Sequence, residues 1–362
     1  MSLSRYAVIA GSGSYLPTQK ISNDHFLNHS FYGTDGKKLD KGNEEIIRKF
    51  QDITGIAERR YVTDDLVASD IAFYAAEQAL ASSGIDKETF DYIIVAHNFG
   101  DIKEDNRRSD MVPTLASRVK QRLDIKNPKT VSYDLPFGCA GWLQGIIQAN
   151  YFIKSGDANR VLVIGTDTLS RIADPHDRDS MIYADGAGAV ILESRESEKP
   201  VGILSHHTET FTDGHAYALR MDKSSNPDYA ENTLFLKMKG HKLYEQALKL
   251  VPHVINISLN KANVSLNKID KILIHQANTK MDEAIVTNLK SLCQVDHLAE
   301  DFMPMTISWL GNSSVATIPT LYDLISKNEM KNHSIRKNSI IAFAAVGAGI
   351  NINAVIYLVP EN

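Results

Sequence analysis

The sequence contains only two cysteines, Cys139 and Cys293, among its 362 residues. This number excludes a disulfide framework and a zinc site built from several cysteines, and it favours a reducing compartment. No segment reaches the roughly 18 uninterrupted apolar residues of a membrane-spanning helix, and the apolar run near the N-terminus is too short for a signal-peptide core. We therefore expect a cytoplasmic protein with no segment inserted in a membrane.

The chain also has fewer positively charged than negatively charged side chains. The chain has 39 Lys and Arg against 44 Asp and Glu, a formal net charge of −5, and its sequence pI is near 6.2. A nucleic-acid-binding protein usually presents a basic surface, so this class is disfavoured, whereas a local basic patch for an acidic carrier protein or a phosphate-bearing cofactor stays open. The length and the 43% of hydrophobic residues predict two domains with substantial cores.

The stretch from Asp134 to Phe152 is typical of a strand end, a tight turn and a long apolar helix that begins near Cys139. Gly138, Ala140 and Gly141 leave the sulfur accessible to another molecule. The helix N-terminus favours the thiolate, which is the reactive form. A free cysteine is more commonly a small buried hydrophobic residue, so at this point nucleophile and core thiol are both open.

The second half of the chain repeats the first. Residues 82–98 (SSGIDKETFDYIIVAHN) resemble residues 261–278 (KANVSLNKIDKILIHQAN), and the turn and helix at Cys139 correspond to SWLGNSSVATIP around Asn312. We interpret this as two fused copies of one α/β unit, residues 1–195 and 196–362, with mixed, largely parallel sheets. A helix is predicted over residues 113–123 in the first copy.

Polar residues follow the predicted strands of the second half. His275, Asn278, Asn312 and Gly347 all stand at such strand ends, where ligands bind in sheets of this kind. The internal symmetry predicts that they lie near the turn of Cys139. Each also has a structural explanation, since Asn is a common helix cap and Gly a common turn residue.

These motifs together resemble the β-ketoacyl-acyl carrier protein synthase III family of thiolase-like condensing enzymes. The matching segments, in the family's order, are GSGSYLP, TGIAERR, DLPFGCAGW, GTDTLSRIADPHDRD, YADGAGA, HQAN, GNSSVATIP and VGAG. The resemblance implies an α/β fold with a duplicated αβαβα layered architecture and two mixed five-stranded sheets. The half with the nucleophilic cysteine would be residues 1–195, and the half with the catalytic His and Asn would be residues 196–362.

The resemblance also implies roles for individual residues. Cys139 would be the acylated nucleophile, and His275 and Asn312 would hold the carbonyl of the second thioester. The backbone amides of Cys139 and Gly347 can form an oxyanion hole for the acyl transfer. Asn278 would assist from three residues after His275. No metal and no permanently bound cofactor are implied, because the substrates are thioesters of coenzyme A or of the phosphopantetheine of acyl carrier protein.

Further positions concern the partners. The family forms homodimers, and Val112 matches the residue that enters the neighbouring subunit's acyl pocket. Arg178 matches a residue beside the coenzyme A adenine, and Lys280 matches a basic residue that docks the carrier protein. Two positions depart from the family: Val346 replaces a Phe that assists decarboxylation, and Lys49 replaces a Trp that stacks on the adenine.

Ile53 and Glu245 also stand where docking residues are commonly basic, and these departures suggest a specialised paralogue. The main hypothesis is a Claisen condensation of an acyl primer with a malonyl- or β-ketoacyl-carrier thioester, in fatty-acid or related lipid or polyketide-like biosynthesis. One alternative is transfer of the acyl group to an alcohol or amine, or a condensation without decarboxylation. Another is a non-catalytic subunit that stabilises an active paralogue.

Overall fold

The computed structural model describes residues 3–361, so residues 1, 2 and 362 at the outer bounds of the two predicted halves lie outside it. The strands are β1 (Ser4–Tyr15), β2 (Gln19–Ser22), β3 (Glu58–Tyr61), β4 (Tyr92–His97), β5 (Val131–Pro136), β6 (Arg160–Thr168), β7 (Asp185–Ser197), β8 (Gly202–Thr210), β9 (Leu219–Asp222), β10 (Phe235–Met238), β11 (Lys271–Ile274), β12 (Ile340–Gly347) and β13 (Asn351–Leu358). The helices are α1 (Asn43–Thr54), α2 (Ala68–Ser83), α3 (Leu115–Arg122), α4 (Gly141–Ser155), α5 (Gly240–Ala262), α6 (Thr279–Cys293), α7 (Ile307–Leu310) and α8 (Thr317–Ser326).

Two sheets form the framework of the protein. The first has the strand order β1-β7-β6-β4-β5 and the second has the order β11-β12-β13-β8. The pairs β4–β5, β4–β6 and β11–β12 are parallel, and the other four neighbouring pairs are antiparallel. The sheets are therefore mixed, as predicted, but the prediction that they are largely parallel is wrong, because the last strand of each copy, β7 or β13, is antiparallel to both of its neighbours.

Helices cover both faces of each sheet, which gives five layers. The helices α4 and α8 lie between the sheets, and each contacts strands of both. The helices α2 and α3 pack on the outer face of the first sheet, and α5, with α6 beside it, packs on the outer face of the second. Strands buried on both faces explain why their sequences are nearly continuous apolar runs. The predicted αβαβα layering is confirmed.

The internal repeat recognised in the sequence is visible in the order of elements. The series α2–β4 and α5–β11 correspond, as do α4–β6–β7 and α8–β12–β13. The helix predicted from residue 113 begins at Leu115, because the Thr114 side chain accepts a hydrogen bond from the Ser117 amide at 3.2 Å and caps it. Gly188 allows α8 to pack closely on the first sheet, since a Cβ there would lie 2.7 Å from the Thr320 nitrogen.

The second sheet has four strands in the described part of the chain, where five were predicted. The segment after Asp301 occupies the place of the missing edge strand, and the Ile272 amide donates to the Phe302 oxygen at 2.8 Å. The backbone hydrogen bonds between this segment and β11 do not continue beyond that point. The side chain of Gln276 binds the backbone of the segment instead. Its Nε2 donates to the Pro304 oxygen at 2.9 Å, and its Oε1 accepts from the Thr306 amide at 2.9 Å.

Of the helices in residues 3–361, none combines the length and the apolar character that a membrane span needs. The boundary between the two halves at residue 195 stays a prediction.

Candidate active site

Cys139 lies in a short 3₁₀ turn, Gly138–Ala140, between the end of β5 and the start of α4. This turn is interlocked with the turn that follows β12. A Cβ on Gly138 would lie 2.7 Å from the Ala348 nitrogen, and a Cβ on Gly347 would lie 2.7 Å from the Cys139 nitrogen. Gly138 has a φ of 69°, a conformation that side chains rarely adopt. Glycine at both positions therefore lets the two turns touch, which is the proximity that the symmetry predicts.

His275 and Asn312 reach the same place from the second half of the chain. His275 follows β11, and its amide donates to the Ala344 oxygen at 2.9 Å, which fixes it beside β12. Two backbone hydrogen bonds hold Asn312 against the first half of the chain. The backbone N–H of Asn312 donates to the Ile182 oxygen at 3.0 Å, and its backbone carbonyl oxygen accepts from the Ala184 amide at 2.9 Å. The Asn312 side-chain oxygen accepts from the Ser314 amide at 2.8 Å, which orients its Nδ2 as the remaining donor.

One cavity of about 1110 Å³ connects these residues with the surface. Seven of the predicted site residues line it: Cys139, Arg178, His275, Asn278, Asn312, Val346 and Gly347. Two do not. Lys280 is exposed on α6, and Val112 is 86% exposed on the surface of the single chain.

The exposed lining residues mark the mouth of the cavity. Lys41, Lys49 and Arg178 are exposed there, and Glu45 forms ion pairs of 2.8 Å with both lysines. Lys237 holds the loop that carries Arg178, because its ammonium group binds the carboxylates of Asp174 and Asp177. Lys41, Lys49 and Arg178 thus form a cationic rim that can contact phosphate groups, although Glu45 offsets part of the charge of the two lysines and Ile53 and Glu245 also line the mouth.

Two family models match the chain: 3-oxoacyl-[acyl-carrier-protein] synthase III over residues 133–214 and its C-terminal part over residues 259–359. A β-ketoacyl-[acyl-carrier-protein] synthase III from Ehrlichia ruminantium (strain Gardel) is 32% identical to it over 348 residues, which cover 96% of this chain and 97% of the relative. The chain belongs to this family. The synthase III of Staphylococcus aureus (strain JH1) is 31% identical over 347 residues, with 96% of each chain covered.

Solved structures agree on the fold. The 3-oxoacyl-(acyl carrier protein) synthase III of Pseudomonas aeruginosa PAO1 superimposes with a TM-score of 0.79 at 24% identity, covering 98% of this chain and 99% of that one. The fold is therefore thiolase-like. As a synthase III family member, the protein is an acyltransferase that condenses acyl thioesters in fatty-acid biosynthesis. The names of these two relatives describe the product of those enzymes as a β-ketoacyl group attached to acyl carrier protein.

Burial sets the protonation states within this synthase III cavity. It lowers the pKa of His275 to about 4, so the imidazole is neutral at physiological pH. It raises the pKa of the Cys139 thiol to about 11, against the opposing effect of a hydrogen bond from Ser314. The sequence predicts that the helix N-terminus favours the thiolate, whereas in the structure burial outweighs the groups that stabilise it.

A chain of hydrogen bonds leads to the Cys139 sulfur from the first sheet. The Ser314 hydroxyl donates to Sγ at 3.3 Å, and Asn98 Nδ2 donates to that hydroxyl at 2.8 Å. Asp167 fixes Asn98 by accepting from its side chain at 2.6 Å and from its amide at 2.9 Å. This chain was not predicted from the sequence. Its available signals were the position of Asn98 at a strand end and that of Ser314 within the GNSS segment.

Asn278 has a structural role in addition to its place in the cavity wall. Its side-chain oxygen accepts from the Met281 amide at 2.8 Å and caps α6. The predicted assistance of Asn278 to His275 stays a prediction.

The described residues contain no group of three or more His, Cys, Asp or Glu side chains placed to hold a metal ion. One apolar part of the cavity wall, which was also not predicted from the sequence, is formed by Leu169, Ile182, Tyr183, Leu219, Met221 and Leu236.

Proposed function

We propose that Cys139 accepts the acyl group of a thioester and that this group is then joined to a malonyl group on acyl carrier protein. The observation that carries the proposal is the convergence of Cys139, His275 and Asn312 on one cavity from both halves of the chain. A thiol, a neutral imidazole and a carboxamide are the groups that thioester exchange followed by enolate formation requires.

In the first step the sulfur of Cys139 attacks the thioester carbonyl, and the thiol proton passes to the leaving thiolate. The developing oxyanion needs two donors. The Cys139 amide and the turn at Gly347 are in contact, so backbone amides from these two turns supply them. Ser314 stabilises negative charge on the sulfur before attack, because its hydroxyl points at Sγ.

In the second step the malonyl thioester loses carbon dioxide and leaves an enolate, whose carbon attacks the acyl-enzyme. His275 is suited to bind the enolate oxygen because a neutral imidazole has one N–H donor, and Asn312 Nδ2 is the second donor. A charged histidine would be poorly stabilised in this buried site, where the imidazole is 5% exposed.

The donor is a thioester of coenzyme A or of acyl carrier protein, and no resident cofactor takes part. The cationic rim at Lys41, Lys49 and Arg178 supports a phosphate-bearing substrate, and Lys280 on α6 is a candidate contact for the acidic carrier. We further propose a cytoplasmic homodimer, in which Val112, exposed in the single chain, enters the partner's cavity. The halves 1–195 and 196–362 are proposed as the two thiolase-like units.

Intact-protein mass spectrometry tests the acyl-enzyme. Wild-type protein incubated with acyl-CoA and acyl-carrier thioesters should gain the mass of one acyl group, and Cys139→Ser should not. Carbon dioxide release from malonyl-carrier protein then tests the condensation. An unacylated wild type, or acylation that persists in Cys139→Ser, would refute the proposal.

A second candidate is transfer of the acyl group to an alcohol or amine, or a condensation that involves no decarboxylation. Val346 favours it, since an aliphatic side chain lines the cavity where the family resemblance places a Phe. In the acyl-transfer version His275 is the base. The sequence suggests Asn312 as the residue that orients this base, but its side-chain oxygen is already bound to the Ser314 amide. Acylation of Cys139 without malonyl-dependent carbon dioxide release would support this candidate.

A further inference from the structure

Asp167 lies near the end of β6, close enough to Cys139 for its charge to act on the thiol. It is buried, with 2% of the residue exposed, and it is not among the residues that line the cavity. The backbone N–H of Asn98 donates to one oxygen of its carboxyl group at 2.9 Å, and Asn98 Nδ2 donates to the other at 2.6 Å. Because this acid is enclosed by the protein, any effect that it has on the reaction passes through a neighbouring side chain.

Ser314 links this carboxyl group to the sulfur. The Ser314 hydroxyl lies 3.3 Å from Cys139 Sγ, and it is also a hydrogen-bond partner of the Asp167 carboxylate. Asn98 Nδ2 donates to the Ser314 oxygen at 2.8 Å as well as to Asp167, which keeps the two groups together. A hydroxyl group that accepts from one amide still has a proton to donate and a lone pair to accept with. Ser314 can therefore accept the thiol proton on one side and donate its own proton to the carboxylate on the other.

Electrostatics favours this path over loss of the thiol proton to water. Burial first, and then the charge of Asp167, raise the pKa of Cys139 to about 11, although the hydrogen bond of Ser314 opposes them. Burial also raises the pKa of Asp167. Ionisation of both groups would place two negative charges in one buried site, so the pair keeps one proton between them. Moving that proton from the sulfur to the carboxylate forms a thiolate without adding a second buried charge.

We propose that Asp167 takes up the proton of Cys139 through the hydroxyl of Ser314 when the sulfur attacks a thioester. Asp167 acts on the sulfur through Ser314, so it is a positioning residue for the thiol proton. The inference rests on the proposed function in one respect, that Cys139 is the nucleophile that becomes acylated.

Two protons move in this step. The S–H bond of Cys139 breaks and its proton binds the Ser314 oxygen, while the O–H bond of Ser314 breaks and that proton binds an oxygen of Asp167. The electron pair of the sulfur forms the bond to the thioester carbonyl carbon. When the thiolate of the donor leaves, Asp167 returns its proton to Ser314 and the hydroxyl proton of Ser314 passes to that thiolate. Acylation therefore has no net uptake or release of protons.

Other titratable side chains also face this pair. Burial lowers the pKa of His275 to about 4 and raises the pKa of Tyr183 well above its ordinary value, so neither changes charge between about pH 6 and pH 9. His97 faces Asp167 from β4, and its Nε2 lies 3.1 Å from the carboxylate of Asp134. These three side chains are present in wild type and in every variant below, so a comparison of pH profiles isolates Asp167.

The pH dependence of acylation by acyl-CoA, followed by intact mass in single turnovers, tests the path. In wild type the rate should level off above the pKa of Asp167, because the carboxylate accepts the proton. Asp167→Asn has no such acceptor, so its rate should rise about tenfold per pH unit over the same range as the thiol loses its proton to solvent. At pH 7.5 the variant should be slower by about a hundredfold, the usual contribution of a general base. A purely structural effect would lower the rate without changing this dependence on pH.

Asp185→Asn is the matched control. Asp185 is also 2% exposed, and its carboxylate accepts from the Val62 amide at 2.9 Å and from the Ser170 amide and hydroxyl at 2.8 and 2.7 Å. It is not among the residues that line the cavity, so its profile should match that of wild type.

A proton inventory on wild type needs no variant and decides the matter if Asp167→Asn does not fold. Because two protons move together, the acylation rate should depend on the deuterium fraction of the solvent along a curve and not along a straight line. The inference is overturned if the inventory is linear, or if Asp167→Asn keeps the level profile of wild type. If no thioester labels Cys139, the proposed function fails, and the same pH profiles measured with iodoacetamide decide the inference.

Discussion

The hydroxyl of Ser314 donates a hydrogen bond to the sulfur of Cys139 across the two halves of the chain, with Oγ 3.3 Å from Sγ. Asn98 Nδ2 donates to the same hydroxyl at 2.8 Å, so the Ser314 oxygen is satisfied as an acceptor, and its single proton is shared between the sulfur and the nearby carboxylate of Asp167. The second half thus contributes to the state of the thiol itself, as well as supplying His275 and Asn312.

Ser314→Ala should make Cys139 less reactive. The hydrogen bond favours the thiolate, so its loss moves the thiol pKa above about 11 and lowers the thiolate fraction at every pH below that value. We expect alkylation by iodoacetamide at pH 8 to slow about tenfold, since hydrogen bonds to charged groups are among the stronger ones. The rate is followed by peptide mass spectrometry, which separates Cys139 from Cys293.

Ser313→Ala is the control for this experiment. Its hydroxyl lies 3.4 Å from that of Thr317, and Ser313 is not among the residues that line the cavity. Equal alkylation profiles for wild type and Ser314→Ala would show that the hydrogen bond does not act on the sulfur.

His275→Gln should reduce the sensitivity of the fold to acid. The pKa of His275 is about 4 in the folded protein and near 6.5 in the unfolded chain, so below pH 6.5 the unfolded state binds a proton that the folded state refuses. The folded state is therefore destabilised as pH falls from about 6.5 towards 4. Between pH 7 and pH 5 this group alone removes about 2 kcal/mol of unfolding free energy.

Urea unfolding of wild type and His275→Gln at both pH values checks this prediction. Other histidines with lowered pKa values, such as His29 and His206, titrate in both proteins, so the difference between the two isolates His275. The same loss of stability in both proteins would mean that His275 is as accessible to protons in the folded state as in the unfolded one.

The sequence was sufficient for the part of the site that follows from strand ends. Because the two copies are related by symmetry, residues at equivalent strand ends meet, and Cys139, His275, Asn312 and Gly347 could be brought together from the repeat alone. The five layers, by contrast, were predicted from the resemblance to the family.

The features that the sequence did not predict depend on the directions of individual side chains, which a hydrophobic or repeat pattern does not specify. A fifth strand was expected at the edge of the second sheet. The structure has none there, because the carboxamide of Gln276 binds the segment that would otherwise pair through its backbone. The hydrogen bonds of Asn98 depend in the same way on which rotamer the packing selects. The pKa of Cys139 could not be predicted because the helix effect was visible in the sequence and the depth of burial was not.

Val346→Phe should distinguish a decarboxylating condensation from the alternative. Val346 lines the cavity of about 1110 Å³ beside Gly347. A ring at this position would leave the departing carboxylate less well solvated, so we expect malonyl-dependent carbon dioxide release to rise at least about fivefold. Cys139 acylation, measured separately, should change little.

Val346→Leu controls for bulk without a ring and should leave carbon dioxide release close to the wild-type rate. A rise of the same size in both variants would assign the effect to volume. No release in any of the three proteins would favour the candidate in which the acyl group goes to an acceptor without decarboxylation.

Gly347→Ala should block acylation by separating the two turns that meet at Cys139. Gly347 has extended backbone angles, φ −139° and ψ −177°, which alanine adopts without strain, so space alone opposes the change. The new methyl group would lie 2.7 Å from the Cys139 nitrogen and 2.9 Å from the Ala140 nitrogen, both of them backbone atoms. The turn must shift, at a cost of about 1–3 kcal/mol in stability, and the oxyanion donors move with it. Loss of one such donor lowers acylation by about a hundredfold or more.

Gly42→Ala is the matched control, because nothing lies within 4 Å of its Cβ position and its φ is −62°. If stopped-flow acylation were as fast in Gly347→Ala as in Gly42→Ala, the amides of these turns would not form the oxyanion hole.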